Sequence, residues 1–101
     1  MVINVKNENG KITIAPEGWL DIVSAPELGD AIGAITEMQE LVLDLDMVEY
    51  MASAGLRQIV AAHRRAKELG AAFSVINARP EIVSIFKMTG IDKKLDIHEK
   101  S

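Results

Sequence analysis

The stretch Leu41-Val42-Leu43-Asp44-Leu45 constrains the fold more than any other part of the chain. An almost uninterrupted apolar run of this length suits a central strand in a covered sheet. Side chains alternate across a strand, so Leu41, Leu43 and Leu45 take one face. Val42, Asp44 and Asp46 take the other. The chain then turns through Met51-Ala52-Ser53-Ala54-Gly55 and enters a long helical pattern from Ala54 to Leu69. Leu56, Ile59, Val60, His63 and Ala66 share one face of that helix. Ser53 stands at the junction, where a helix start leaves backbone N–H groups without partners. Its hydroxyl has two jobs open to it. It can cap the helix, or it can be presented to a partner as a site of modification.

The flanking segments supply the rest of an α/β unit. Val2, Ile3 and Val5 open a strand, Asn7-Glu8-Asn9-Gly10 turns, and Lys11 to Ala15 alternates as a half-buried strand. Pro16-Glu17-Gly18 is expected to break the ladder, with Trp19-Leu20 as a further short strand. Ser24-Ala25-Pro26-Glu27 reads as a capping box with Pro in the first turn. Leu28, Ala31, Ile32 and Ile35 follow at helical spacing. Ala71 to Ile76 is the next strand and Asn77-Ala78-Arg79 a turn. Pro80 starts a third helix that Gly90 ends, and Leu95 to Ile97 forms a last short strand. Strand–helix–strand order implies parallel pairing with right-handed crossovers, and the opening hairpin makes the sheet mixed. The expected fold is therefore α/β: a mixed four- to five-stranded sheet with about three helices mostly on one face.

Size and composition exclude several functions. A chain of 101 residues has room for one core, so a single domain over 1–101 is expected. There is no cysteine, which removes disulfides, thiolate catalysis and Cys-based metal sites. The net charge of −4 and the absence of a dense basic cluster argue against nucleic-acid binding. No apolar run approaches the ~20 residues of a spanning helix, so membrane insertion is not expected. The start of the chain lacks the features of a signal peptide, and a cytoplasmic location is the default. No Ser/His/Asp set, P-loop or dinucleotide glycine motif is present, so neither catalysis nor a cofactor is expected. Asp44 and Asp46 alone are a weak metal signal. His63 reads as a core or boundary residue, and Arg57, Arg64, Arg65 and Lys67 as a solvated face.

Several motifs together carry a family resemblance. Leu43-Asp44-Leu45-Asp46-Met47-Val48-Glu49-Tyr50-Met51-Ala52-Ser53-Ala54-Gly55-Leu56 resembles the signature of STAS domains, specifically the bacterial anti-sigma factor antagonists. Gly18-Trp19-Leu20-Asp21-Ile22-Val23-Ser24-Ala25-Pro26-Glu27-Leu28 is similar to the family's acidic segment leading into an Ala-Pro-x-Leu helix. Arg64 to Gly70 and Phe86 to Asp92 match its later landmarks in order.

The resemblance implies a single STAS domain that works by binding, not catalysis. Its partner would be an anti-sigma factor that is also a serine kinase of the histidine-kinase-like ATPase fold. The unphosphorylated antagonist binds that factor and frees a sigma factor; phosphorylation releases it. The matching phosphoacceptor is Ser53, with a partner surface drawn from Asp21, Ile22, Ser24, Met51, Ala54, Gly55 and Leu56. Two positions depart from the pattern: Ala52 stands where the family has an acidic residue, and Trp19 where it has Glu. As the lone tryptophan, Trp19 is either a core residue or an exposed partner anchor, and core or half-buried packing is the more frequent outcome. Ala52 favours the rival reading, a STAS scaffold or transporter accessory that is never phosphorylated. A small-ligand or nucleotide-binding domain is a third reading, without a glycine-rich cradle to support it. A monomer or weak dimer is expected.

Overall fold

Hydrophobic alternation in the strands decides where the core lies. A computed structural model describes residues 1–101. Its elements are β1 (Val2–Glu8), β2 (Lys11–Leu20), α1 (Ala25–Gly33), β3 (Glu40–Asp44), β4 (Val48–Met51), α2 (Ser53–Glu68), β5 (Ala72–Ala78), α3 (Pro80–Thr89), a 3-10 turn (Ile91–Lys93) and β6 (Ile97–Glu99). The strands form one mixed sheet in the order β1-β2-β3-β5-β6, with β4 added beside the far end of β2. Only β1 and β2 pair antiparallel.

In the parallel register Ile12 lies beside Leu41 and Leu41 beside Phe73; Ile14, Leu43 and Val75 form the next row. These rows belong to, or pack against, one continuous core that also takes Leu28 and Ile32 from α1, Ile59 and Ala62 from α2, and Ile82 and Phe86 from α3. The alternate row, Thr13, Val42 and Ser74, contributes nothing to that core. All three helices therefore draw on one face of the sheet, as the period-2 pattern requires.

Four expectations need correction here. The sheet has six strands, because β4 occupies Val48–Met51, a stretch to which the sequence assigned no strand. Pro16 does not break the ladder; it is a buried residue within a continuous β2, opposite Ile3. The reason is that β2 changes neighbours. It pairs β3 over Lys11–Ile14 and β4 over Gly18–Leu20, and Pro16 falls in the gap where neither needs its missing N–H. Asn77-Ala78 is not a turn but the end of β5, reached with Asn77 at φ 57°. Arg65 is not on a solvated face: its guanidinium donates to the carbonyl of Ile35 at 2.7 Å and ties α2 to the exit of α1.

The helix ends follow from local chemistry. Gly70 takes φ 72° after α2, and the N–H groups of Gly70 and Ala71 return to the carbonyls of Lys67 and Ala66 at 3.1 and 2.8 Å. That is the paired closure of a Schellman motif. Gly90 does similar work for α3 at φ 76°. His63 is half-buried with its ring 5.7 Å from that of Phe73. No helix is long and apolar enough to cross a membrane.

Candidate functional site

The candidate site is built where β2 and β4 end side by side. Trp19 pairs with Tyr50 and Leu20 with Met51 in parallel register. The chain leaves β4, and the N–H of Ala52 donates to the carbonyl of Leu20 at 2.9 Å before α2 begins. This places Ser53 beside the loop that follows Leu20. The approach is close. A Cβ added to Gly55 would lie 2.7 Å from Leu20 Cγ and 2.8 Å from its carbonyl oxygen, so only glycine fits there.

The start of α1 is saturated with side-chain hydrogen bonds, though not those expected. Ser24 and Glu27 form no capping box. The box is displaced three residues upstream. Asp21 Oδ1 accepts from the N–H groups of Val23 and Ser24, both at 3.0 Å, and Ser24 Oγ accepts from the N–H of Asp21 at 3.0 Å. The Ser24 hydroxyl donates to the carbonyl of Trp19 at 2.6 Å, with Asp21 Oδ1 a second acceptor at 3.2 Å. This is reciprocal capping with Asp21 in the capping place and Ser24 three residues on. These donors, the Ser24 N–H first, hold the Asp21 carboxyl below its ordinary value. Glu27 turns away to the amino group of Met1 at 2.8 Å.

The start of α2 is different. Its N-cap is Ala52, at φ −98° and ψ 174°, and no side chain caps it. Ser53 is the first helical residue and is exposed; its hydroxyl bonds to nothing in the chain. Ser53 is therefore not the cap. A capping hydroxyl must sit one residue earlier, on the residue with extended backbone, to reach back to the first turn.

The other residues named from sequence divide by burial. Ile22 is 75% exposed, and Asp21, Ala54 and Leu56 are half-buried. Ser24, Met51 and Gly55 are buried and shape the surface from beneath. On β2, β4 and their flanking loops the structure adds exposed apolar residues that periodicity did not single out. Trp19 is 60% exposed, which corrects the expectation of a packed tryptophan, and its ring lies 5.1 Å from that of Tyr50. Val23, Met47 and Tyr50 are exposed as well. A bulge explains Tyr50. The register jumps between Gly18 and Trp19, so Glu49 is the extra residue of β4 and both it and Tyr50 face outward. Trp19 and Tyr50 thus form an exposed apolar pair, the kind of feature that suits an interaction surface.

The second acidic pair is occupied elsewhere. Asp44 accepts from the N–H of Asp46 at 3.0 Å and from Asn77 Nδ2 at 3.1 Å, and Asp46 pairs with Lys100 at 2.8 Å.

Comparison with known proteins places the chain in a family. The family model for the STAS domain matches residues 2–101. The anti-sigma-B factor antagonist of Bacillus subtilis (strain 168) is 29% identical over 100 residues, covering 98% of this chain and 92% of that protein. The crystal structure of an anti-sigma factor antagonist from Mycobacterium paratuberculosis is 31% identical, with a TM-score of 0.85 over 96% of this chain and 84% of that one. The Bacillus cell fate determinant SpoIIAA in its phosphorylated form has the same fold at 14% identity, with a TM-score of 0.72 over 95% of this chain and 90% of that one.

Proposed function

The chain belongs to the STAS domain family, and on that premise we propose that it is an anti-sigma factor antagonist switched by phosphorylation of Ser53. In this reading residues 1–101 act as one domain in the cytoplasm. The unphosphorylated form binds an anti-sigma factor, a serine kinase of the histidine-kinase-like ATPase fold, and so releases a sigma factor. The contact surface is the exposed skin of the site: Ile22, Asp21, Ala54 and Leu56, joined by Trp19, Val23 and Tyr50. Ser24, Met51 and Gly55 act on that surface by setting its shape.

One observation carries the reading: Ser53 is exposed and its hydroxyl unbonded, although it stands at a helix start where a serine is ordinarily consumed as a cap. The chain supplies no catalysis. The kinase's nucleoside triphosphate would give up its γ-phosphoryl group. The serine Oγ–P bond forms, the bond from γ-phosphorus to the bridging oxygen breaks, and the serine proton passes to a base on the kinase. The product adds roughly −1.5 to −2 charge to a surface whose serine docked as a neutral hydroxyl. Like-charge repulsion and desolvation then favour release.

The test is affinity capture from host lysate with the unmodified chain, Ser53→Ala and Ser53→Asp as baits. A histidine-kinase-like ATPase held by the first two and lost with the third is the expected result. The same partners on all three baits would make the chain a scaffold, the reading that Ala52 in the capping place favours.

A further inference from the structure

From the idle state of one arginine we infer that Arg57 receives the phosphate of phosphorylated Ser53, as a guanidinium–phosphate pair within α2. The inference rests on the preceding reading of Ser53 as the phosphoacceptor and adds the residue that accommodates the modification.

The first support is the distribution of charge. Between Lys11 and Arg57 there is no Lys or Arg, while Asp and Glu recur throughout. The end of β2, the 21–24 loop, all of α1, β4 and the first turn of α2 lie in that cation-free stretch. A dianion on Ser53 would thus be surrounded by elements whose only charges are carboxylates, with Asp21 on the adjoining loop and exposed Glu49 on β4. Arg57 is the first cation the chain offers.

Position is the second support. Ser53 and Arg57 are four residues apart in one helix, so their side chains share a face with Cβ atoms about 5–6 Å apart. Helical side chains lean toward the N-terminus, so the long arm of Arg57 is able to reach back toward Ser53. The next basic residues, Arg64 and Arg65, lie about two turns further along, and Arg65 is engaged with Ile35.

Availability is the third. Arg57 is exposed and takes part in none of the ion pairs of the structure, which use the amino terminus, Lys6, His98 and Lys100. It makes no side-chain hydrogen bond, unlike Arg65 and Arg79. A planar guanidinium suits two phosphate oxygens at once. The consequence is a switch that works by displayed charge on an intact fold. Arg57 offsets the repulsion between the phosphate and its acidic surroundings, and the helix start survives.

The experiment installs phosphoserine at position 53 during translation of the full chain and follows the phosphate by 31P NMR from pH 4 to 9. In the parent, Arg57 favours the dianion and the neighbouring carboxylates oppose it. Arg57→Gln is expected to raise the second phosphate pKa by roughly half a unit, about a threefold change in proton affinity. Arg57→Lys should recover part of the difference, and Arg64→Gln should leave the titration where it was. An unchanged titration in Arg57→Gln overturns the inference, as does a phosphorylated parent that no longer folds. Because the ribosome installs the phosphate, the outcome does not depend on whether any kinase acts on Ser53. That question is answered by the capture experiment alone.

Discussion

Two helices begin at the same end of the sheet, next to each other, and each has a serine near its start. At α1 the serine is buried and its hydroxyl is spent on Trp19 and Asp21, inside a reciprocal cap. At α2 the serine is exposed and idle, and the helix start is held by other means: the Ala52 N–H on Leu20, and the close fit of Gly55 against the same residue. The difference teaches how a surface hydroxyl can be kept free at a place where folding would ordinarily use it. Backbone pairing and packing replace the cap, and the Ser53 hydroxyl is left without a partner in the chain.

The contrast predicts a ranked series of effects. Gly55→Ala should be the most damaging substitution. The new methyl meets a backbone oxygen that cannot step aside, and overpacking of this kind costs about 1–3 kcal/mol, more than alanine's better helix propensity returns. Urea denaturation should show the midpoint falling accordingly; an unchanged midpoint would mean that packing does not hold the start of α2.

Ser24→Ala comes next, at about 1–2 kcal/mol, because it leaves the Asp21 N–H and the Trp19 carbonyl without their partner. In a domain of this size that corresponds to several degrees in the thermal midpoint.

A smaller effect is a pH dependence. The Asp21 carboxyl is held below its ordinary value by the Ser24 N–H first, together with the Val23 N–H and the Ser24 hydroxyl. A group whose folded pKa is depressed contributes stability that is fully present above the unfolded value of about 3.9. That contribution is lost as pH falls through the folded value. Asp21→Asn should therefore trail the parent in stability at pH 7, and the gap should close below about pH 4. A gap that persists unchanged in acid would show that shape, not charge, is what Asp21 provides.

Ser53→Ala should do least, within about ±0.5 kcal/mol, as for an exposed residue without partners. If its cost matched that of Ser24→Ala in the same thermal scan, the two helix starts would be equivalent and the contrast would collapse.

Much of this was legible in the residues. The Leu41–Leu45 run, the period of α2 and the glycines at 70 and 90 each report local physics, and each appears where that physics places it. The motif around Ser53 pointed to the family and to the junction. Where the reading of Pro16 and Trp19 failed, the deciding partner lay far off in sequence. Pro16 is tolerated because β2 exchanges β3 for β4 there. Trp19 is exposed because it lies at the end of β2 with Tyr50 as its neighbour. The cap of α1 begins at Asp21, whose box with Ser24 competes directly with the Ser24–Glu27 box that the sequence suggested.

What the sequence determined by itself, then, was the three helices, the central strand and the presence of serines at two helix starts, because periodicity and turn chemistry act within a few residues. Which serine is consumed and which is left exposed was decided only in the tertiary structure. That choice depends on Leu20, which receives the Ala52 N–H and the bare face of Gly55 from a segment more than thirty residues along the chain. A hydroxyl is free or bound according to what lies within hydrogen-bond reach: the partners of Ser24 are local, whereas the helix start at Ser53 is closed by Leu20, far off in sequence.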